Sequence, residues 1–375
     1  MTTNADVVVV GLGAVGGAAL CHVAGRGLRA VGIDRFTPPH DRGSSHGRTR
    51  IYRQAYYEAP EYVPLARRAL ELWRDLERDT RFTLFAGTGA LTIGAERGAL
   101  FSGAYRSARM HGIPHEVLSA RDAARRFPAV RPAPDTVALF EPTGGVLFPE
   151  ACVRAHLSRA AASGASIRTD EEVTAIELRG DGSVAVATSR GAYTAGHVVV
   201  AAGAWAPRLL GLERAFTVTR ETVHWFNAPS PHARAEVCPV MMVERDDGPM
   251  LYAIPDFGDG FKAGLHYAGA VGDPASEPAA VPRADGETVG ALLEDLIPGG
   301  AGRLHHSAPC YYTSTRDLHF AIGRLRSAPG VILASACSGH GFKFASALGE
   351  AIAQLVAGNG APLLPSGLFD VARLE

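Results

Sequence analysis

The sequence predicts an α/β fold: a Rossmann-like dinucleotide-binding domain with a β-rich (α+β) domain inserted into it. Three observations carry this. The apolar run Asp6-Val7-Val8-Val9-Val10 leads straight into Gly11-Leu12-Gly13-Ala14-Val15-Gly16, short strand-like runs alternate with helical stretches, and residues 216–312 are strand-rich without a second glycine fingerprint. The first run reads as a buried parallel strand, since successive valines suit a pleat covered on both faces. Gly11 allows the tight turn, Gly13 lets a pyrophosphate approach the backbone, and Gly16 permits close helix–strand contact. The helix that follows, to about residue 24, turns its N-terminus, with Ala14 and Val15, toward the anion. Ala30-Val31-Gly32-Ile33 is the next strand and ends at Asp34, 23 residues after Gly11, where a carboxylate accepts hydrogen bonds from an adenosine ribose. This unit does not distinguish NAD from FAD.

The remaining elements follow in order. Residues 61–77 have helical periodicity, 82–94 read as a strand pair, and 148–163 form a second helix. Short strands come next at 166–168, 172–178, 184–188 and 191–195. They lead to a buried strand that ends in the small residues Ala201-Ala202-Gly203-Ala204 before Trp205, an ending that allows close approach of backbone to a ligand. A buried strand returns at 331–336, then a Gly339/Gly341 turn and a helix from about 346 to 357. A discontinuous Rossmann-like domain, interrupted twice by the β-rich one, explains this order better than two consecutive domains. The segment 273–282 is a Pro/Ala-rich loop, and there is no internal repeat.

Composition excludes several function classes. A chain of 375 residues with 47% hydrophobic content predicts two or three domains around a sizeable core. A net charge of −1 provides no electrostatic case for nucleic acid or an anionic membrane. The longest apolar runs fall short of a bilayer span, and no basic region precedes the first apolar strand, so a cytoplasmic protein is expected. The five cysteines Cys21, Cys152, Cys238, Cys310 and Cys337 are odd in number and lack Cys-x-x-Cys spacing, indicating neither a disulfide framework nor a zinc site. His305-His306 lacks a carboxylate or cysteine at ligand spacing, so no metal is expected. Among 37 basic residues only Lys262 and Lys343 are lysines.

Further motifs are spread along the chain. They are Pro38-Pro39-His40, then Gly43-Ser44-Ser45-His46-Gly47-Arg48-Thr49-Arg50-Ile51-Tyr52-Arg53, Glu61-Tyr62-Val63-Pro64-Leu65, and Gly260-Phe261-Lys262-Ala263-Gly264-Leu265-His266. Ala308-Pro309-Cys310-Tyr311-Tyr312-Thr313 and Ser338-Gly339-His340-Gly341-Phe342-Lys343-Phe344 complete the set. In this order they resemble the monomeric sarcosine oxidase and N-methyltryptophan oxidase family, covalent-FAD amine oxidases of the D-amino acid oxidase-like superfamily, over essentially the whole length. The resemblance implies an FAD-binding domain at 1–85, 145–215 and 315–375 and a substrate domain at 86–144 and 216–314. It implies FAD attached through Cys310, with further cofactor contacts at Arg35, Ser44, His46, Thr49, Arg50, Val173, Gly203, Trp205, Gly339, Gly341, Phe342 and Lys343. Arg53 and Lys343 would hold a substrate carboxylate. Arg50 and Lys262 would lie against opposite faces of the flavin, Lys262 assisting oxygen reduction, while Tyr252, His266 and His340 fall near substrate or flavin. A monomer acting on a small-molecule amine or amino acid with O2 is implied.

The chemistry suits these residue types. An arginine fork matches a carboxylate bidentately, and a fixed ammonium stabilises negative charge developing on oxygen. Plainer readings exist for each residue. Arg48, Arg50 and Arg53 suit a solvated loop face, and Arg48 departs from the family, which commonly has an acid there. Cys310 alone reads as a small buried apolar residue, and Cys337 as packing. Tyr56, Tyr57, Trp225, Tyr252, Tyr311 and Tyr312 suit either a pocket or a core. The alternatives are a noncovalent flavin amino acid oxidase or dehydrogenase, a nicotinamide-dependent dehydrogenase, and, in another class, a flavin-binding subunit without turnover.

Overall fold

Val7, Val8 and Val9 are fully buried in the strand Thr2–Val10, which pairs in parallel with Ala30–Ile33 on one side and Gly191–Val200 on the other. The structure is a computed structural model that describes residues 2–227, 230–276, 280–299, 302–336, 338–365 and 367–374. The parallel set extends through Ser166–Arg168 and Val331–Ser335. Val173–Leu178, Val184–Thr188 and Ala321–Arg324 add antiparallel strands to complete an eight-stranded sheet. Helices Ala14–Ala24, Pro149–Ala162, Ala345–Val356 and Tyr62–Thr80 pack together over one face. Their apolar stripes form the largest core, around Leu20, Trp73, Cys152 and Phe344.

The second sheet has nine strands and is mixed. Phe216–Asn227 runs antiparallel to Arg303–Thr315 over nearly its whole length, and to Phe261–Leu265 on its other edge. The sheet continues through Leu251–Ile254 and Val240–Val243 to Ala90–Gly94, Val137–Glu141 and Glu116–Ser119. Its own core, with Phe226, Met241, Phe261 and Leu293, is separate from that of the first sheet. A small sheet of Arg50–Tyr52, Gly145–Leu147 and Phe85–Ala86 completes the set.

Several elements differ from the sequence expectation. The strands within 82–94 do not pair with each other: Phe85–Ala86 joins Gly145–Leu147, and Ala90–Gly94 joins Val137–Glu141 and Val240–Val243. Adjacent strands predict a hairpin, but burial on separate cores separates them. The strand-rich stretch holds a helix, Arg283–Leu296, which buries Val289, Leu293 and Leu296. Helix Ala99–His111 also lies outside the elements expected: beyond Leu100 and Phe101 its buried face is Gly103, Ala104, Ser107 and Ala108, too small and mixed to stand out as an apolar stripe. Cys337 and part of the loop 273–282 lie outside the described residues. Among the described residues no helix is long and apolar enough to cross a membrane, and no group of three His, Cys, Asp or Glu side chains stands together as metal ligands.

Candidate active site

Both sheets open onto one cleft of about 680 Å³, which runs from the glycine turn at the C-terminal end of the first strand to the second sheet. Ligands of open α/β sheets bind at this edge, where strands diverge to either side. Gly11 has φ +86°, and a Cβ there would lie 2.6 Å from Ala201 O. A Cβ on Gly16 would overlap Gly11 O, so only glycine lets the helix approach the turn. Gly13 caps helix Ala14–Ala24 with no side-chain acceptor for the first-turn N–H groups, although Ser45 Oγ accepts from Ala14 N at 3.0 Å. Asp34 is buried and accepts from Leu12 N at 2.6 Å and Phe36 N at 2.9 Å, so its carboxylate also fixes the glycine turn. Arg35 faces the cleft and pairs with Glu172 at 3.4 Å. Val173, Gly203 and Trp205 line the same end. Buried His46 Nε2, Thr49 Oγ1, Trp205 Nε1 and His266 Nε2 have no hydrogen-bond partner among the described residues. Thr49, Trp205 and His266 line the cleft, whereas His46, expected from the sequence among the cofactor contacts, is buried behind its lining; open polar atoms along a cleft with a glycine cradle at one end fit an extended FAD.

The second sheet supplies the far wall through its register. Side chains directly opposite on neighbouring strands share a face. Met242 opposes Tyr252, Tyr252 opposes Gly264, Ile254 opposes Lys262, and Lys262 opposes Trp225. On the next strand Cys310 opposes Glu221, and Tyr312, two residues on, points the same way. Met242, Tyr252, Ile254, Lys262, Cys310 and Tyr312 all line the cleft. Gly264 is part of this wall: a Cβ there would overlap the Tyr252 hydroxyl. Cys310 is buried and forms no disulfide among the described residues.

Four cations converge here. Arg53 is 3% exposed; its Nη2 donates to both oxygens of Glu58 at 2.8 and 2.9 Å, and Nη1 donates to Ala55 O at 3.1 Å. Its guanidinium carbon lies 4.3 Å from the Tyr56 ring centroid. Burial opposes the Arg53 charge, and Glu58 with Tyr56 and Tyr57 together outweigh it. Arg50 donates to Thr49 O at 2.8 Å and Ser44 O at 2.9 Å, while Ser44 Oγ donates to Tyr311 O at 2.5 Å. Lys262 Nζ donates to Gly47 O at 2.7 Å and Thr49 O at 2.8 Å, over Trp225. Burial and then Arg50 hold its ammonium well below the usual lysine range. Lys343 Nζ donates to His340 O at 2.8 Å; burial, with Arg53 second, brings it down to about 7 against the pull of Glu58.

The histidines are neutral acceptors and donors. Burial lowers His266 to about 3, and its Nδ1 meets Tyr312 Oη at 3.0 Å. Burial, Arg50 and Lys262 lower His46 to about 4. His340 Nε2 lies 3.0 Å from Leu318 O, which can only accept, so Nδ1 accepts from Tyr56 Oη at 2.6 Å. Both His340 nitrogens are thereby engaged within the protein. The Tyr252 hydroxyl is pushed up, chiefly by burial. Gly339, Gly341 and Phe342 line the cleft beside Lys343. Arg48 turns outward at φ +67° and pairs with Asp259.

Ser45, Glu58, Met242 and Glu150 belong to this site and lie outside the sequence-derived candidates. Ser45 and Glu58 sit in the same loops as predicted site residues, and an acid five positions from Arg53 was a readable signal. Met242 reads as ordinary strand core and Glu150 as an ordinary helix start.

Comparison with known proteins agrees with this geometry. A family model described as FAD dependent oxidoreductase matches residues 6–355. Monomeric sarcosine oxidase of Streptomyces avermitilis is 38% identical, over 100% of this chain and 99% of the relative. N-methyl-L-tryptophan oxidase of Yersinia pestis is 35% identical over 99% of each chain. Among solved structures, NikD, an unusual amino acid oxidase essential for nikkomycin biosynthesis, superposes with a TM-score of 0.83 at 26% identity, covering 100% of this chain and 97% of that one.

Proposed function

The chain belongs to the FAD dependent oxidoreductase family, and from that premise we propose that it is an oxidase of secondary amines, acting on N-methyl or cyclic amino acids. Bound FAD supplies the electron transfer by which the C–N bond becomes an imine and O2 becomes hydrogen peroxide; water then hydrolyses the imine. The observation that carries this reading is the convergence of Arg53, Lys343, Lys262 and Cys310, remote in sequence, on one cleft. Arg53 and Lys343 hold the substrate carboxylate, and Tyr252 and His266 border the bound amine. Glu58 pairs the Arg53 guanidinium until that carboxylate competes for it. Burial and the neighbouring Arg50 disfavour an ammonium in this cleft, as they do at Lys262, so the amine binds neutral and no protein base is required. His266 and His340 hold their protons or lone pairs in fixed hydrogen bonds with Tyr312, Tyr56 and Leu318, and Tyr252 lines the cleft beside them. Lys262, held on the Gly47 and Thr49 carbonyls, stabilises charge developing on oxygen.

We assign Cys310 as the attachment point of the cofactor, and residues 1–85, 145–215 and 315–375 as the FAD-binding domain. Membership of the first and second sheets supports that division. We take the protein to be a monomer, after the description of its sarcosine oxidase relatives.

The test is a visible spectrum before and after acid precipitation, with the intact mass, followed by a peroxide screen of N-methyl and cyclic amino acids. A yellow pellet, a mass increase matching FAD and peroxide from one of these classes are expected. Yellow supernatant with peroxide favours a noncovalent oxidase, and yellow protein without peroxide favours a dehydrogenase.

A further inference from the structure

A turn, not a carboxylate, holds the ammonium of Lys262. Both acceptors of Nζ, Gly47 O and Thr49 O, belong to one chain reversal in which Gly47 has φ +92° and Arg48 φ +67°. Thr49 N closes the reversal on Gly47 O at 2.7 Å. A non-glycine residue at positive φ persists only where its surroundings hold it. Here the holder is Glu150, whose Oε1 accepts from Gly47 N at 2.8 Å and Arg48 N at 3.0 Å. The turn therefore gives its N–H groups to Glu150 and its carbonyls to Lys262.

Glu150 is itself on a rigid element. It lies in the first turn of helix Pro149–Ala162, where negative charge is favoured. The helix is seated by Cys152, Val153 and Ala155 in the largest core. The Arg48–Asp259 pair lies farther out, with both side chains half exposed, and solvent screens such pairs. The charged and titratable groups that face Lys262 are Arg50, which works against its charge, and Glu150 and the Cys310 thiol, which favour it, the sulfur having no charge to offer once it carries the flavin; His46 beside them is neutral.

We propose that Glu150 is the positioning residue for Lys262: its carboxylate fixes the turn at residues 47–49, and through that turn it aims the ammonium into the cleft and keeps it charged. This rests on the reading of Lys262 as the group that assists oxygen reduction. Glu150 has no contact with substrate or cofactor in this assignment and acts through Lys262.

The chain offers a direct probe, because Lys262 and Lys343 are its only lysines. Holoenzyme grown on lysine labelled with carbon-13 at Cε shows two side-chain signals, assigned with Lys343→Met, and each is titrated. In Glu150→Gln, which keeps an acceptor oxygen and loses the charge, the Lys262 midpoint falls by about one pH unit, ten-fold in proton affinity. The Lys343 midpoint stays in place, reporting an intact fold. In Glu150→Ala, which loses both, oxygen reacts with the substrate-reduced enzyme at least about ten-fold more slowly, a smaller loss than the roughly 10²–10³-fold cost of removing a direct donor. Glu150→Gln recovers most of that rate below its new midpoint. A Lys262 midpoint unmoved in both variants overturns the proposal. Lys262→Met reacting with oxygen at the wild-type rate overturns the role of Lys262 instead, and a shifted midpoint in Glu150→Gln then still places Glu150 in control of that lysine.

Discussion

At the scale of single residues, the cleft is governed by which buried charges have partners. Arg53 is paired with Glu58 inside the protein, so Arg53→Ala removes the carboxylate anchor and leaves Glu58 uncompensated. Carboxylate binding should weaken by roughly 2–5 kcal/mol, read as a raised Michaelis constant, and an unchanged constant would remove Arg53 from substrate binding. Lys343 provides a pH test. Its proton affinity is brought down to about 7, so its positive charge is present below that pH and lost as pH rises through it. Affinity for an amine-free carboxylate should therefore fall above about pH 7, and Lys343→Met should abolish that dependence. A limb that persists in Lys343→Met would belong to another group. Both residues were legible in the sequence as motif positions. The charges set on them by burial, by Glu58 and Tyr56, and on Lys343 by Arg53 were not, because proton affinity depends on burial and neighbours that only folding assembles.

At the scale of elements, the glycine turn and the wall of the second sheet set the shape of the site. Gly16→Ala places a Cβ into Gly11 O, so the helix must move off the first strand. The variant should purify with much less bound flavin and unfold earlier, by roughly the 1–3 kcal/mol typical of overpacking; full flavin content would contradict the close helix–strand contact. This unit was readable because strand, glycines and helix are contiguous and local rules place them. The strand pair expected at 82–94 shows the opposite case. Each half has strand character, but Ala90–Gly94 pairs with Val240–Val243 some 150 residues away, and local pattern carries no information about such a partner. Helix Arg283–Leu296 was hidden for a related reason: its apolar face is defined by the second sheet on which it packs.

At the scale of the whole molecule, two sheets with separate cores line one cleft between them, and the proposed function has the cofactor span both. If Cys310 carries the link, Cys310→Ser should release yellow colour to the acid supernatant. Its melting temperature should also rise with added FAD, as expected for a ligand bound only to the folded state. A melting temperature independent of added FAD, with colour still in the pellet, would place the link elsewhere. The sequence by itself determined the dinucleotide-binding unit, the oxidase family and the identity of most polar groups in the cleft, since these lie in short contiguous motifs. Only the tertiary structure decided that Lys262 rests on a turn held by Glu150, that Glu58 occupies Arg53, and that Met242, Tyr252 and Lys262 share one wall. Those relations depend on strand register and on burial between segments distant in the chain, which no local pattern specifies.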